Sequence, residues 1–226
     1  MNNMDLLINE INNGGNTGVI NQSVDFYQGD FSDFNGKVIF SEAVFREIAG
    51  NLKSTRLEGI EKGKFLYGHK FGEDLFLFDG VSKIEFESGP TYFELTEESL
   101  LELEMLSRGG CDAVICFHTH PDVYQRNHRN LSFEDLRMFG LLQKVLGENV
   151  CFGGLGTFNG SSSEVSLVNF DKEANKFKKV KDLYFVMGGD LNKITAVDGV
   201  PTISLDTVYT VSSDERRNIS NQLLKK

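Results

Sequence analysis

Two of the four histidines stand two residues apart, in His118-Thr119-His120-Pro121, and Ser132-Phe133-Glu134-Asp135 follows them. The histidines end the most apolar run in the chain, Ala113-Val114-Ile115-Cys116-Phe117. On a β-strand alternate side chains share a face, so His118 and His120 project together while Thr119 points away. Two imidazoles so placed make a pincer for a metal ion. Pro121 lacks the N–H that a central strand needs, so the ladder stops there and leaves the rings at its open end. Ser132 and Asp135 lie at the start of a predicted helix, three residues apart and therefore on one face. His118, His120 and Asp135 would supply two nitrogens and one oxygen to zinc, leaving the fourth tetrahedral position to water, as in catalytic sites. Zinc lowers the pKa of such a water from about 15.7 to about 7, and a carboxylate is the usual carrier of its proton. Spacing alone does not select that carboxylate from the 33 acidic residues. Taken singly, His-x-His also reads as a solvated pair, and Ser-x-x-Asp as a variant of the capping box.

The elements that must position these groups follow from hydrophobic periodicity. Lys37-Val38-Ile39-Phe40 reads as a strand, and Val44, Phe45, Ile48 and Leu52 as the apolar stripe of a helix capped by Ser41. Residues 63–69 and 74–81 form a predicted hairpin around Lys70-Phe71-Gly72-Glu73. Strands at 83–87 and 91–93 follow, then a helix from Thr96, with Leu100, Leu103 and Leu106 on one stripe and Gly109-Gly110 as its stop. After the histidines, Phe133, Leu136, Phe139, Leu142 and Leu146 mark a second long helix ended by Gly147. Short, glycine-punctuated strands are expected at 150–152, 155–158, 164–170 and 183–187, and edge strands at 202–205 and 207–211. The alternation predicts an α/β (α+β) layered domain over 35–190. Residues 1–34 read as an Asn/Gly-rich extension, and 191–226 as a C-terminal tail.

Composition narrows the function classes. Of the 226 residues, 40% are hydrophobic and 25% charged, and no apolar run is long enough to span a bilayer. The N-terminus lacks the basic and apolar segments of a secretion signal, so the expected compartment is the cytoplasm. Cys111, Cys116 and Cys151 show no CxxC spacing and read as buried reduced thiols. A net charge of −10 disfavours binding to nucleic acid or to an anionic membrane.

The order His-Thr-His-Pro, then Ser-x-x-Asp, resembles the JAMM (MPN+/JAB) zinc metalloproteases, whose pattern adds an upstream glutamate; the chain looks like a prokaryotic-type member. The family's glutamate commonly precedes a Gly-x-Leu-x-Gly-like strand. The offsets of Leu66 and Gly68 then select Glu61, with Glu58 as the alternative. The resemblance implies a curved mixed β-sheet flanked by helices, with cytidine-deaminase-like layering. It also implies zinc on His118, His120 and Asp135, Glu61 as general acid/base, and Ser132 stabilising an oxyanion. The implied reaction is cleavage of an amide or isopeptide bond at the C-terminus of ubiquitin or a ubiquitin-like protein. A Gly-Gly tail would lie in a groove walled by Ile84 to Leu95, with Phe86, Tyr92 and Phe93. Ten residues, 122–131, separate Pro121 from Ser132, more than the family commonly has, so substrate choice is expected to depend on that loop. Alternatives are a small-peptide, cell-wall-peptide or sulfur-carrier-precursor hydrolase, a noncatalytic MPN scaffold, and a RadC-like protein. Glu61 also reads as a solvated strand-edge carboxylate, and His69 and His128 as surface residues.

Overall fold

The computed structural model describes residues 31–90, 93–121, 131–147, 149–159, 162–171, 173–174, 176–197, 200–203, 209–210 and 212–224. Of the expected extension over 1–34, residues 1–30 lie outside them, whereas Ser32–Phe34 open the first described strand and Phe34 packs on the core. Most of the 122–131 loop, His128, Tyr92 and parts of the expected edge strands at 202–205 and 207–211 also lie outside. The order of elements is β1 (Ser32–Phe40), α1 (Glu42–Glu58), β2 (Gly63–Phe71), β3 (Leu75–Glu85), β4 (Glu87–Ser88), β5 (Phe93–Glu94) and α2 (Glu97–Arg108). Then come β6 (Ala113–Thr119), α3 (Phe133–Val145), β7 (Val150–Asn159), β8 (Ser162–Asp171), β9 (Lys176–Met187) and β10 (Asp190–Lys193). The chain ends in β11 (Thr195–Val197), β12 (Val200–Ile203), β13 (Tyr209–Thr210) and α4 (Ser213–Leu223). None of the described helices is long and apolar enough to cross a membrane.

The fold is mixed α/β, as expected, but its main sheet is not simply curved. The strands run β8-β7-β6-β2-β3-β1-β9, and β9 pairs again with β8, from Val168↔Lys179 to Asp171↔Lys176, closing a seven-stranded ring. Pairing is parallel for β1–β3, β1–β9 and β6–β7, and antiparallel for the remaining neighbours in the ring. The expected layering, an open sheet with helices on its faces, is replaced by a barrel whose inside is its own core. Val38, Phe40, Leu66, Phe76, Phe78, Ile115, Phe117, Phe152, Leu167 and Leu183 belong to that core, together with Val44, Phe45, Ile48 and Leu52 of α1.

A second core lies where α2 and α3 cover the outer face of β2, β6 and β7. It joins Phe65, Val114, Cys116 and Leu155 to Leu100 and Leu103 of α2 and to Leu136, Phe139 and Leu142 of α3. Every residue of β6 is therefore buried, its odd and even positions serving opposite cores. Pro121 lies past the end of β6, and the three expected N-caps are in place. The side chains of Ser41, Thr96 and Ser132 accept from Val44, Ser99 and Asp135 N–H.

Three differences from the sequence reading have physical causes. The glycine-rich stretch expected to break a strand is one continuous β7, because its glycines make room for neighbours rather than turns. A Cβ on Gly153 would meet the Phe139 ring at 1.9 Å, and one on Gly156 would meet Leu52 at 2.9 Å. The strand expected at 83–87 is divided, with 83–85 extending β3 and Glu87–Ser88 pairing with Phe93–Glu94 in a separate two-stranded sheet. The expected tail beyond 191 is part of the fold. Leu191 of β10 and Ile219 of α4 complete a third core with Ile39, Leu75 and Tyr184.

Candidate metal centre

β6 delivers His118 and His120 to the face shared with Cys116, the side covered by α3. Both rings are buried, and their Nε2 atoms face each other at 3.0 Å. The N-terminus of α3 brings Asp135 to the same point. Its Oδ1 lies 3.3 Å from His118 Nε2, and its Oδ2 lies 3.8 Å from His120 Nε2. The helix cap aims this carboxylate: Ser132 N–H donates to Asp135 Oδ2 at 2.6 Å, while Asp135 N–H donates to Ser132 Oγ at 3.0 Å. The capping-box reading and the ligand reading of Ser-x-x-Asp are thus compatible, since one oxygen serves the cap and the other faces His118.

Glu61 arrives from the opposite direction. α1 ends at Gly59, whose φ of +69° turns the chain in a way that suits glycine. Two residues later Glu61 N–H donates to the Gly89 carbonyl at 2.9 Å. The Glu61 side chain is 5% exposed, so it is not a solvated strand-edge carboxylate. Ligand atoms of Glu61, His118 and His120 all lie within 4.8 Å of one another, a group able to hold a metal ion. Glu58, the sequence alternative, is exposed and pairs with Lys62 Nζ at 3.0 Å. The geometry therefore separates the two glutamates, which spacing did not.

The electrostatics divide the two buried carboxylates. Burial raises the Asp135 pKa, but the charges and hydrogen bonds of His118, His120 and Ser132 outweigh it and hold the group well below the usual carboxylate range. For Glu61 burial dominates. The nearby His118 pulls the other way and Asp135 adds to the rise, leaving it at about 7. Burial lowers the His118 pKa, but the Asp135 charge and hydrogen bond and the Glu61 charge overcome it, so the ring gains protons more readily than usual. The Gly154 carbonyl also favours the protonated ring, without making a full hydrogen bond to the buried Nδ1.

These donors suit a tetrahedral metal. Two ligand atoms at about 2.0–2.1 Å from zinc lie roughly 3.3–3.4 Å apart. The Nε2–Nε2 separation of 3.0 Å and the His118 Nε2–Asp135 Oδ1 separation of 3.3 Å lie near that value, while His120 Nε2 is 3.8 Å from the other carboxylate oxygen, Oδ2. Two facing imidazole nitrogens also need a shared proton or a shared cation between them. On the flank, Phe93 of β5 stacks on His118 with centroids 4.2 Å apart, and Phe86 stacks on Phe93 at 5.5 Å. The expected groove wall thus touches the site through Phe93. His69 lies elsewhere, half-exposed, with Nδ1 3.5 Å from Asp112. Sequence reasoning missed Thr119 and Thr55, whose hydroxyls meet behind the histidine pair; only the pointing of Thr119 away from the pincer hinted at a separate contact. No protein-family model and no curated protein matches the chain.

Proposed function

We propose that this chain is a zinc-dependent hydrolase of the JAMM (MPN+/JAB) type, cleaving amide or isopeptide bonds at the C-terminus of ubiquitin or a ubiquitin-like protein. The observation that carries the reading is the convergence on one buried point of His118, His120 and Asp135 with Glu61, a carboxylate raised to about 7. His118, His120 and Asp135 would hold the zinc, which when bound supplies a Lewis acid that acidifies water and polarises a carbonyl. Glu61, buried beside the two imidazoles, takes up a proton as base and returns it to the leaving amine as acid. Ser132 Oγ accepts from Asp135 N–H, so its own hydrogen remains to be donated to the oxyanion of a substrate carbonyl. Buried Cys111, Cys116 and Cys151 with no CxxC spacing fit a reducing compartment such as the cytoplasm.

The test is metal analysis of protein purified without chelator, joined to cleavage of a panel of ubiquitin-like C-terminal fusions by wild type and Glu61→Gln. The expected result is one zinc per chain in both proteins, cleavage by wild type, and loss of cleavage in the variant. Protein without zinc would overturn the reading and leave the noncatalytic scaffold. Equal turnover of a full-length fusion and its isolated C-terminal peptide would move the assignment to a small-peptide hydrolase.

A further inference from the structure

Thr119 stands between the two histidines and faces away from them, toward α1 and the barrel core. It is fully buried, as is Thr55 on α1. Its Oγ1 accepts from the Lys62 N–H at 3.0 Å and lies 3.2 Å from the Lys62 carbonyl, to which it donates. Its own N–H donates to the same carbonyl at 2.9 Å. With its hydrogen used in this way, Thr119 Oγ1 is also the acceptor for the hydroxyl of Thr55. The Lys62 N–H belongs to the peptide bond that joins Glu61 to Lys62. Thr119 therefore grips the backbone immediately behind Glu61, while the Gly89 carbonyl holds the N–H in front.

We propose that Thr119 is a positioning residue, whose hydroxyl sets the distance between the Glu61 carboxylate and the two imidazoles carried by the same strand. The inference rests on the reading of Glu61 as proton carrier. Strand alternation makes the coupling direct. One residue of β6 holds the base segment on one face while its two neighbours present their rings on the other. A shift of the Glu61 segment by one ångström is enough to lower turnover by roughly a hundredfold.

The test compares Thr119→Val, which keeps the shape and removes the hydroxyl, with Thr119→Ser, which keeps the hydroxyl. Each is made in the wild-type and Glu61→Gln backgrounds. Zinc content, kcat and KM are measured on the best-cleaved fusion, and hydrogen exchange of the Lys62 amide is followed in the metal-free protein. Thr119→Val should retain stoichiometric zinc, lower kcat about 10–100-fold with KM within about twofold, and speed exchange at Lys62. Thr119→Ser should restore most of the turnover and the protection. In the Glu61→Gln background Thr119→Val should cost nothing further, because the group it positions is gone. An equal loss in both backgrounds, or unchanged Lys62 exchange in Thr119→Val, overturns the proposal. If Thr119→Val does not fold, Thr119→Ala, which also removes the hydroxyl that holds Lys62, is read by the same criteria. Should wild type neither bind zinc nor cleave, the hydrolase reading falls and the exchange measurement alone decides whether Thr119 holds the segment.

Discussion

Glu61 and Asp135 are both buried carboxylates beside the same imidazoles, yet their proton affinities are driven in opposite directions. Asp135 accepts from the Ser132 N–H and has a histidine near each oxygen, so its charge is solvated by the protein. Glu61 has burial as its main influence and a like charge opposite. In the proposed hydrolase, separating two titratable groups in this way would divide the work between a ligand that stays ionised and a carrier that exchanges protons. Asp135→Ala should lower zinc affinity more than about a hundredfold by equilibrium dialysis, whereas Glu61→Gln should leave it within a few-fold. A pH effect on the metal-free protein follows from the same shifts. Glu61, at about 7 against an ordinary 4.5, and His118, also raised, bind protons more tightly folded than unfolded. Their contribution to stability is full below the unfolded pKa and is lost as pH rises through the folded one. Asp135 works in the reverse sense, but only in acid. Metal-free stability should therefore fall as pH rises from about 4 through 7, by about 3 kcal/mol from Glu61 alone. Urea titrations of Glu61→Gln should show a correspondingly flatter profile, and an unchanged slope would refute the assignment. The ligand pincer was legible in the sequence because its logic is local, a strand period and a helix cap. Glu61 was reached only through the family resemblance, because no local pattern marks it: its N–H is held by Gly89 and the next peptide by Thr119, both distant in the chain.

At the level of elements, α3 is the part on which the site depends most. Its first residues carry Ser132 and Asp135, and its buried face is seated on β7 by Phe139 lying over Gly153. Ser132→Ala removes a cap worth about 1 kcal/mol. On zinc-loaded protein it should also lower kcat, while a change in melting temperature alone would leave Ser132 as a cap only. Gly153→Ala places a methyl group where the Phe139 ring stands. Thermal unfolding should show a loss of about 3 kcal/mol, with weaker zinc binding as α3 is lifted. The helices α1, α2 and α3 were readable from their caps and stripes. β7 was misjudged as two strands because Gly153, Gly154 and Gly156 look like turn residues in sequence. Their actual role is to admit side chains from α3, β6 and α1. α4 was missed for the opposite reason: Ile219 is its one fully buried residue, too little to form a stripe.

For the molecule as a whole, closure of the ring was the feature least visible in advance, since no local signal tells β8 that it will pair with both β7 and β9. The third core shows that the residues beyond 191 belong to this closed body. Tyr184 of β9 donates to Glu215 of α4 at 2.6 Å, and Ile219 is 2% exposed beneath it. Ile219→Ala should cost about 2–3 kcal/mol in chemical denaturation while leaving zinc stoichiometry unchanged, because the site lies under a different core. The pairing of β1 with β9, which sets Ser32 beside Lys178, also has a temporal meaning. Glu61, His118, His120 and Asp135, with the strands and helices that hold them, are all synthesised before β9 emerges. The first described strand can pair with β3 along one edge, but its other edge must wait for β9. Non-local pairing of this kind is slow to form, so the metal-binding half can gather while the seam is still open. Pulse-labelled refolding should find β6 and β7 protected before the amides bonded between β1 and β9, and zinc added early should be captured by a chain that has not yet become a barrel.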